Sequence, residues 1–120
     1  MGFNKLMAYQ KGFTLAMQIF EISKSFPKEE TYSLTDQIKR SSLSVCANIA
    51  EAYRKRRYEK VFISKLTDAD SENSETQVGL QFSQTCQYIT NQEKQDLVDQ
   101  SQEVGKLAQY MINNPGKFGV

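Results

Sequence analysis

The sequence predicts an all-α fold, an antiparallel up-and-down four-helix bundle, and three observations predict it. Apolar residues recur at three- and four-residue spacing over four long stretches. The two prolines, Pro27 and Pro115, fall where those patterns stop. No repeat, low-complexity run or long linker divides the 120 residues, so a single domain, 1–120, is expected. The expected helices cover about 4–25, 33–55, 58–90 and 91–113.

The first helix carries Leu6, Tyr9, Phe13, Ala16, Met17 and Phe20 as one stripe. Phe26-Pro27 ends it, because the residue before proline is driven out of helical geometry. The second helix opens at Ser33, whose spacing to Asp36 resembles a capping box. It carries two apolar rows. Ile38, Ser42, Val45, Ile49 and Ala52 form one; Leu43, Cys46, Ala50 and Tyr53 form the other. A polar third row holds Gln37, Ser41, Ser44, Asn48 and Glu51. Two apolar rows exceed what one neighbouring helix needs, so this helix is expected to pack in its own bundle and against another subunit.

The third helix keeps a heptad seam of Phe62, Leu66, Ala69, Asn73, Thr76, Leu80 and Ser83. Its polar members are expected to set register, and Gly79 reads as a local weakness. The fourth helix opens on Thr90-Asn91-Gln92-Glu93, a second capping box. Leu97, Val104, Leu107, Ala108 and Met111 make its core face, and Asn113-Asn114-Pro115-Gly116 stops it.

Composition narrows the chemistry. Mean hydropathy is -0.57, and no run approaches the roughly 18 apolar residues that span a bilayer, so no membrane partner is expected. The N-terminus lacks a secretory pattern, and Met1-Gly2 has Leu6 where myristoylation wants Ser or Thr. A cytoplasmic protein is the expectation. Cys46 and Cys86 sit in apolar stretches and read as buried small hydrophobes. There is no histidine, which removes the commonest general base and transition-metal ligand. No catalytic residue, metal site or cofactor is expected, and the protein is expected not to be an enzyme. A cysteine nucleophile at Cys46 beside Asn48 or Glu51 would lack a basic partner.

Charge is unevenly placed. Residues 1–60 hold eleven Lys/Arg against six Asp/Glu, and residues 61–120 hold four against eight. Arg54, Lys55, Arg56 and Arg57 stand in a row at the end of the second helix, with Lys60 a turn later. Lys39 and Arg40 lie upstream, Arg40 close to the face of Arg54. These seven are the candidate nucleic-acid-binding residues, bracketed by Tyr53 and Tyr58 as stacking platforms. Cations at a helix C-terminus also stabilise its dipole without any ligand, and that reading stays open. Asp68, Glu72 and Glu75 share one face of the third helix, either solvated or facing the basic end of another subunit. Asn48 is expected to hydrogen-bond across helices, and Glu51 to pair with Lys55 at i+4.

The stretch LTDQIKRSSLSVCANIAEAYRKRR resembles the signature of the bacterial proteins encoded in 23S rRNA intervening sequences. Leu34, Thr35, Gln37, Ile38, Lys39 and Arg40 match its start, and Ser44, Ala47, Asn48, Ile49, Ala50 and Glu51 its centre. Gln37, Ser44, Asn48 and Glu51 are its polar motif residues. FEISKSFPKEE and KLTDADSENSET also look like family segments, so the likeness covers nearly the whole chain. Many members have Gly after the Glu and Pro before the Ala, where this chain has Ala52 and Cys46; Tyr9 stands where Trp is frequent. Ala52 therefore leads us to expect a helix that runs on into the basic cluster. The resemblance implies a homopentamer of four-helix bundles. A related accessory protein of diversity-generating retroelements binds nucleic acid and associates with a reverse transcriptase. RNA or DNA and a reverse transcriptase are thus the implied partners, and the family's old "ribosomal protein" label does not prove ribosome membership. Two functions stay open: a non-enzymatic oligomer binding RNA or DNA backbone, and a protein-interaction scaffold without nucleic-acid contact.

Overall fold

The computed structural model describes residues 2–120 and contains four long helices and no strand among them. Helix α1 spans Met7–Ser23, α2 Leu34–Arg54, α3 Glu59–Thr85 and α4 Asn91–Asn113. Each helix packs on its neighbours in the closed order α1, α2, α3, α4, α1, the arrangement of an up-and-down bundle with short connections. The bundle is 44 Å long, close to the roughly 40 Å length of α3.

The heptad seam of α3 is buried at all seven positions, from Phe62 to Ser83. The first apolar row of α2, from Ile38 to Ala52, is buried throughout as well. The apolar core falls into two parts. Phe62, Leu66, Val45, Ile49, Tyr53, Val104 and Met111 fill one end, and Leu15, Ile19, Phe26, Ile38, Leu80 and Leu97 fill the other. Between them lies a polar belt. Asn73 Nδ2 donates to the Ser101 carbonyl at 2.8 Å, and Ser101 Oγ donates back to Asn73 Oδ1 at 2.9 Å. Gln77 Nε2 donates to the same Ser101 Oγ, while Thr76 Oγ1 and Ser41 Oγ lie 2.9 Å apart. Buried polar groups are costly unless paired, so sliding α3 against α4 would orphan Asn73 and Ser101 together. The belt thus holds the register expected of Asn73 and Thr76.

Several local expectations change. The buried face of α1 is Ala8, Gly12, Leu15, Ile19 and Ser23, not the stripe of Phe13, Met17 and Phe20, which stays exposed. Small residues win the inner face because they let other helices come close; a Cβ on Gly12 would stand 3.3 Å from Cys46 Sγ. Ser33 does not cap α2: its hydroxyl donates to the Glu30 carboxylate instead. Helix α3 stops at Thr85, five residues short of the expected end. Gln87 adopts a left-handed conformation (φ 64°), with Tyr88 N–H bonded to the Ser83 carbonyl and Gln87 N–H to that of Gln84. That is a Schellman stop built on glutamine rather than glycine, so composition gives no warning of it. Cys86 sits at this stop and is exposed, not buried.

The Thr90 capping box forms in full, Glu93 N–H donating to Thr90 Oγ1 and Thr90 N–H to Glu93 Oε1. Thr90→Ala is expected to cost about 1 kcal/mol, seen as a lower urea midpoint with unchanged slope.

Candidate nucleic-acid interface

Helix α2 ends at Arg54, and Lys55 is its C-cap with φ -102° and ψ 20°. The helix therefore runs into the basic cluster, ending at its first residue within one position of the expected end, and does not continue beyond it. Residues 55–58 form a tight turn, closed by Tyr58 N–H to the Lys55 carbonyl at 3.0 Å, and α3 begins at Glu59. The turn divides the five cations from Arg54 to Lys60 into three kinds.

Arg56 is tied inward. Its Nη1 donates to the Tyr53 carbonyl at 2.8 Å, and its guanidinium lies 4.0 Å from the Tyr53 ring centre. The chain near Gly119 packs against the same side chain. Arg56 thus closes the end of α2, its guanidinium joining its own backbone N–H on a carbonyl that has no partner four residues on. Lys55 is partly neutralised by Glu51, 3.1 Å away, and Glu51 also meets Lys65 at 3.4 Å. Those two ammonium groups, Lys55 first, hold the Glu51 carboxyl below its ordinary value.

Arg54, Arg57 and Lys60 are exposed, and none has a carboxylate within 4 Å among the described residues. Arg54 rests over the ring of Phe3, and Arg57 over that of Tyr58, at 5.8 and 5.4 Å. Tyr58 is 58% exposed and can stack, whereas Tyr53 is buried beneath Arg56 and cannot. The turn thus presents three unpaired cations and one accessible aromatic ring.

Lys39 and Arg40 stand apart from this group, roughly 21 to 23 Å along α2 from Arg54. Arg40 is paired with Asp36 at 3.0 Å and shares a polar cleft with Glu72 and Glu75. Lys39 lies 5.0 Å from the Phe20 ring centre. Two cations escaped the sequence reading: Lys5, two residues from the Phe3 that underlies Arg54, and Lys117, two residues from the Gly119 that abuts Arg56. Phe3 and Gly119 reach the turn only because their segments fold back onto it, which nothing in the local pattern signals, and the Lys117 ammonium donates to the Tyr110 hydroxyl at 2.8 Å.

The polar motif residues serve the helices. Gln37 Nε2 donates across to the Glu75 carbonyl at 2.9 Å. Asn48, by contrast, donates to Ser44 one turn back in its own helix, not across the bundle. Burial pushes the Cys46 thiol up to about 11, so at neutral pH it is not a thiolate.

A second feature lies between α1 and α2. Phe13 and Met17 on α1 are 51% and 45% exposed, and Leu43 on α2 is 65% exposed. With Tyr9, Phe20 and Ala47 they line an apolar groove of about 460 Å³. This is the unpartnered half of the second apolar row of α2. No helix among the described residues is long and apolar enough to cross a membrane.

The profile of the family described as 23S rRNA-intervening sequence protein matches residues 4–110. A crystal structure of a protein of unknown function from the S23 ribosomal protein family, from Bacteroides thetaiotaomicron, superposes with a TM-score of 0.80. The two are 30% identical over 88% of this chain and 98% of that one. Among curated proteins, none matches this chain. A match over most of the length, carried by a four-helix fold in common, assigns the family: the chain belongs to the 23S rRNA-intervening sequence proteins.

Proposed function

We propose that this protein is a non-enzymatic oligomer that binds the phosphate backbone of RNA or DNA through its α2–α3 turn. One observation carries the reading: Arg54, Arg57 and Lys60 stand exposed and unpaired beside an accessible tyrosine. Cations without local carboxylates keep their full attraction for phosphate, and binding releases the counterions condensed on the nucleic acid. Three cations make a weak site alone. Several copies in one assembly multiply it through effective concentration, and the apolar groove of α1 and α2 is the feature that favours assembly. The family resemblance favours a homopentamer for that assembly.

The same groove also supports the second reading, a scaffold that holds a protein such as a reverse transcriptase without touching nucleic acid. Anisotropy of a labelled structured RNA and a DNA duplex over a salt series separates the two. On the first reading, log K falls against log salt with a slope of about -2 to -3 per engaged protomer, from three cations. The triple variant Arg54→Glu, Arg57→Glu, Lys60→Glu abolishes binding while helicity is kept. Arg56 is left in place because it closes α2. Affinity that is flat with salt, or unaltered in the variant, overturns nucleic-acid binding and leaves the scaffold.

A further inference from the structure

Tyr58 has a counterpart on the last turn of α4. Tyr110 is 45% exposed there, at the end of the bundle where α1 begins, α2 ends and α3 begins. Its hydroxyl accepts a bond from Lys117 Nζ at 2.8 Å, and that nitrogen lies 5.3 Å from the ring centre. The two distances place the ammonium beyond the hydroxyl, at the rim of the ring rather than over a face. Phe118 meets the Tyr110 ring at 83°, with centres 6.2 Å apart, and is itself packed on the core of this end. Gly119 follows in a left-handed conformation (φ 84°), which glycine adopts without steric cost. It lies against Arg56, where a Cβ would stand 3.3 Å from Nε. Contacts and bonded neighbours thus lead from Tyr58 through Arg57, Arg56, Gly119 and Phe118 to Tyr110. That path is no more than about 35 Å long even if every link were straight. Each accessible ring also has a cation beside it, Arg57 at 5.4 Å from the Tyr58 centre and Lys117 at the Tyr110 rim. Neither cation has a carboxylate within 4 Å among the described residues.

We propose that this end of the bundle holds an unpaired RNA or DNA strand, one base stacked on Tyr58 and another on Tyr110, with phosphates on Arg57, Lys60 and Lys117. This rests on the backbone-binding reading and names the form of nucleic acid that the site takes. A duplex hides its base faces in the stack and offers phosphates and groove edges alone. An unpaired strand offers phosphates and base faces together, and a base stacked on an aromatic ring leaves the adjoining phosphate within reach of a neighbouring cation. Ring and cation stand side by side twice here, and the span between the two rings is one that several nucleotides cover. Stacking accepts any base, so the strand is held without regard to its sequence. The turn supplies one half of this surface, and the segment Pro115–Phe118 with Gly119 supplies the other. Arg56 joins the halves: fixed to the Tyr53 carbonyl, it gives Gly119 the surface on which that segment rests.

The chain contains no tryptophan, so Tyr58→Trp and Tyr110→Trp each install a single fluorescent reporter of stacking. Both positions are exposed, and each variant is expected to keep its helicity by circular dichroism. The reporters are titrated with single-stranded RNA, single-stranded DNA of the same sequence, the matching DNA duplex, and inorganic polyphosphate as a probe of charge alone. Both indoles are expected to be quenched by single strands and by neither duplex nor polyphosphate; the strand that acts at the lower concentration tells RNA from DNA. The double variant Tyr58→Leu, Tyr110→Leu keeps every cation. Its affinity for single strands is expected to fall at least about tenfold, while its salt slope and its affinity for duplex hold. If duplex binds as tightly as single strand, if either indole stays unquenched, or if the leucine variant binds single strands like the wild type, the strand proposal is wrong although backbone binding stands. If no nucleic acid binds at all, the backbone reading falls with it.

Discussion

Phe62→Ala is expected to destabilise the protein by about 3–5 kcal/mol, the largest loss available from one side chain. Phe62 has no exposed surface and sits in the larger core cluster among Val45, Ile49 and Tyr53 of α2 and Met111 of α4. Two costs add. The aromatic ring loses its transfer out of water, and close-packed walls relax only partly into the space it leaves. Domains of this size are stable by about 5–15 kcal/mol, so the change consumes much of the margin. Urea unfolding followed by circular dichroism, at one fixed protein concentration because assembly adds to stability, reads the effect. Tyr32→Ala, at a residue 95% exposed, is the matched control and stays within about 0.5 kcal/mol. A Phe62→Ala protein as stable as that control would show that α3 does not pack as described.

Gly79→Ala is expected to destabilise as well, against what helix propensity alone dictates. Alanine in place of glycine inside a helix normally gains about 1 kcal/mol. Here the added methyl collides with Ile38 Cγ2 and Gln37 Oε1 across the α2–α3 contact. Ile38 is fully buried and cannot swing away, so the helices must part or the isoleucine leave its rotamer. Overpacking of this kind costs about 1–3 kcal/mol, which outweighs the propensity gain. Displaced helices would also stretch the Gln37 bond to the Glu75 carbonyl. A raised midpoint in the same urea series would mean that the close approach relaxes freely. The glycine is thus a point of close contact between two helices rather than a weak spot in one.

Much of the fold was legible because helix burial obeys one period. The seam of α3, including Asn73, Thr76 and Ser83, follows from residue spacing alone, and all of it is buried. The Thr90 box was legible because both partners lie within four residues. Elsewhere local pattern pointed wrongly or fell short. On α1 two faces are apolar, and size drew attention to Phe13, Met17 and Phe20. Which face turns inward depends on how closely α2 and α4 approach, and that favours Ala8 and Gly12. Ser33 and Thr90 look alike in sequence, yet Ser33 is claimed by Glu30, itself drawn to the Tyr88 hydroxyl from 58 residues away. That pairing pushes Tyr88 up to about 12 and, with the Ser33 bond as the larger cause, lowers the Glu30 carboxyl.

The candidate site divides in the same way. A row of four cations after α2 is plain in the sequence, but their roles differ through contacts that are not. Arg56 is spent on the Tyr53 carbonyl and ring, and Lys55 on Glu51, leaving Arg54 and Arg57 with Lys60 to face outward. Sequence by itself determined the all-helical bundle, its core seam and the presence of a basic cluster, because these depend on periodicity and on residues close in the chain. Only the tertiary structure decided which apolar face stays open, where Gly79 brings two helices together and which cations remain free. Those outcomes are set by the approach distances of packed helices and by partners far away in sequence, and neither is written in local spacing.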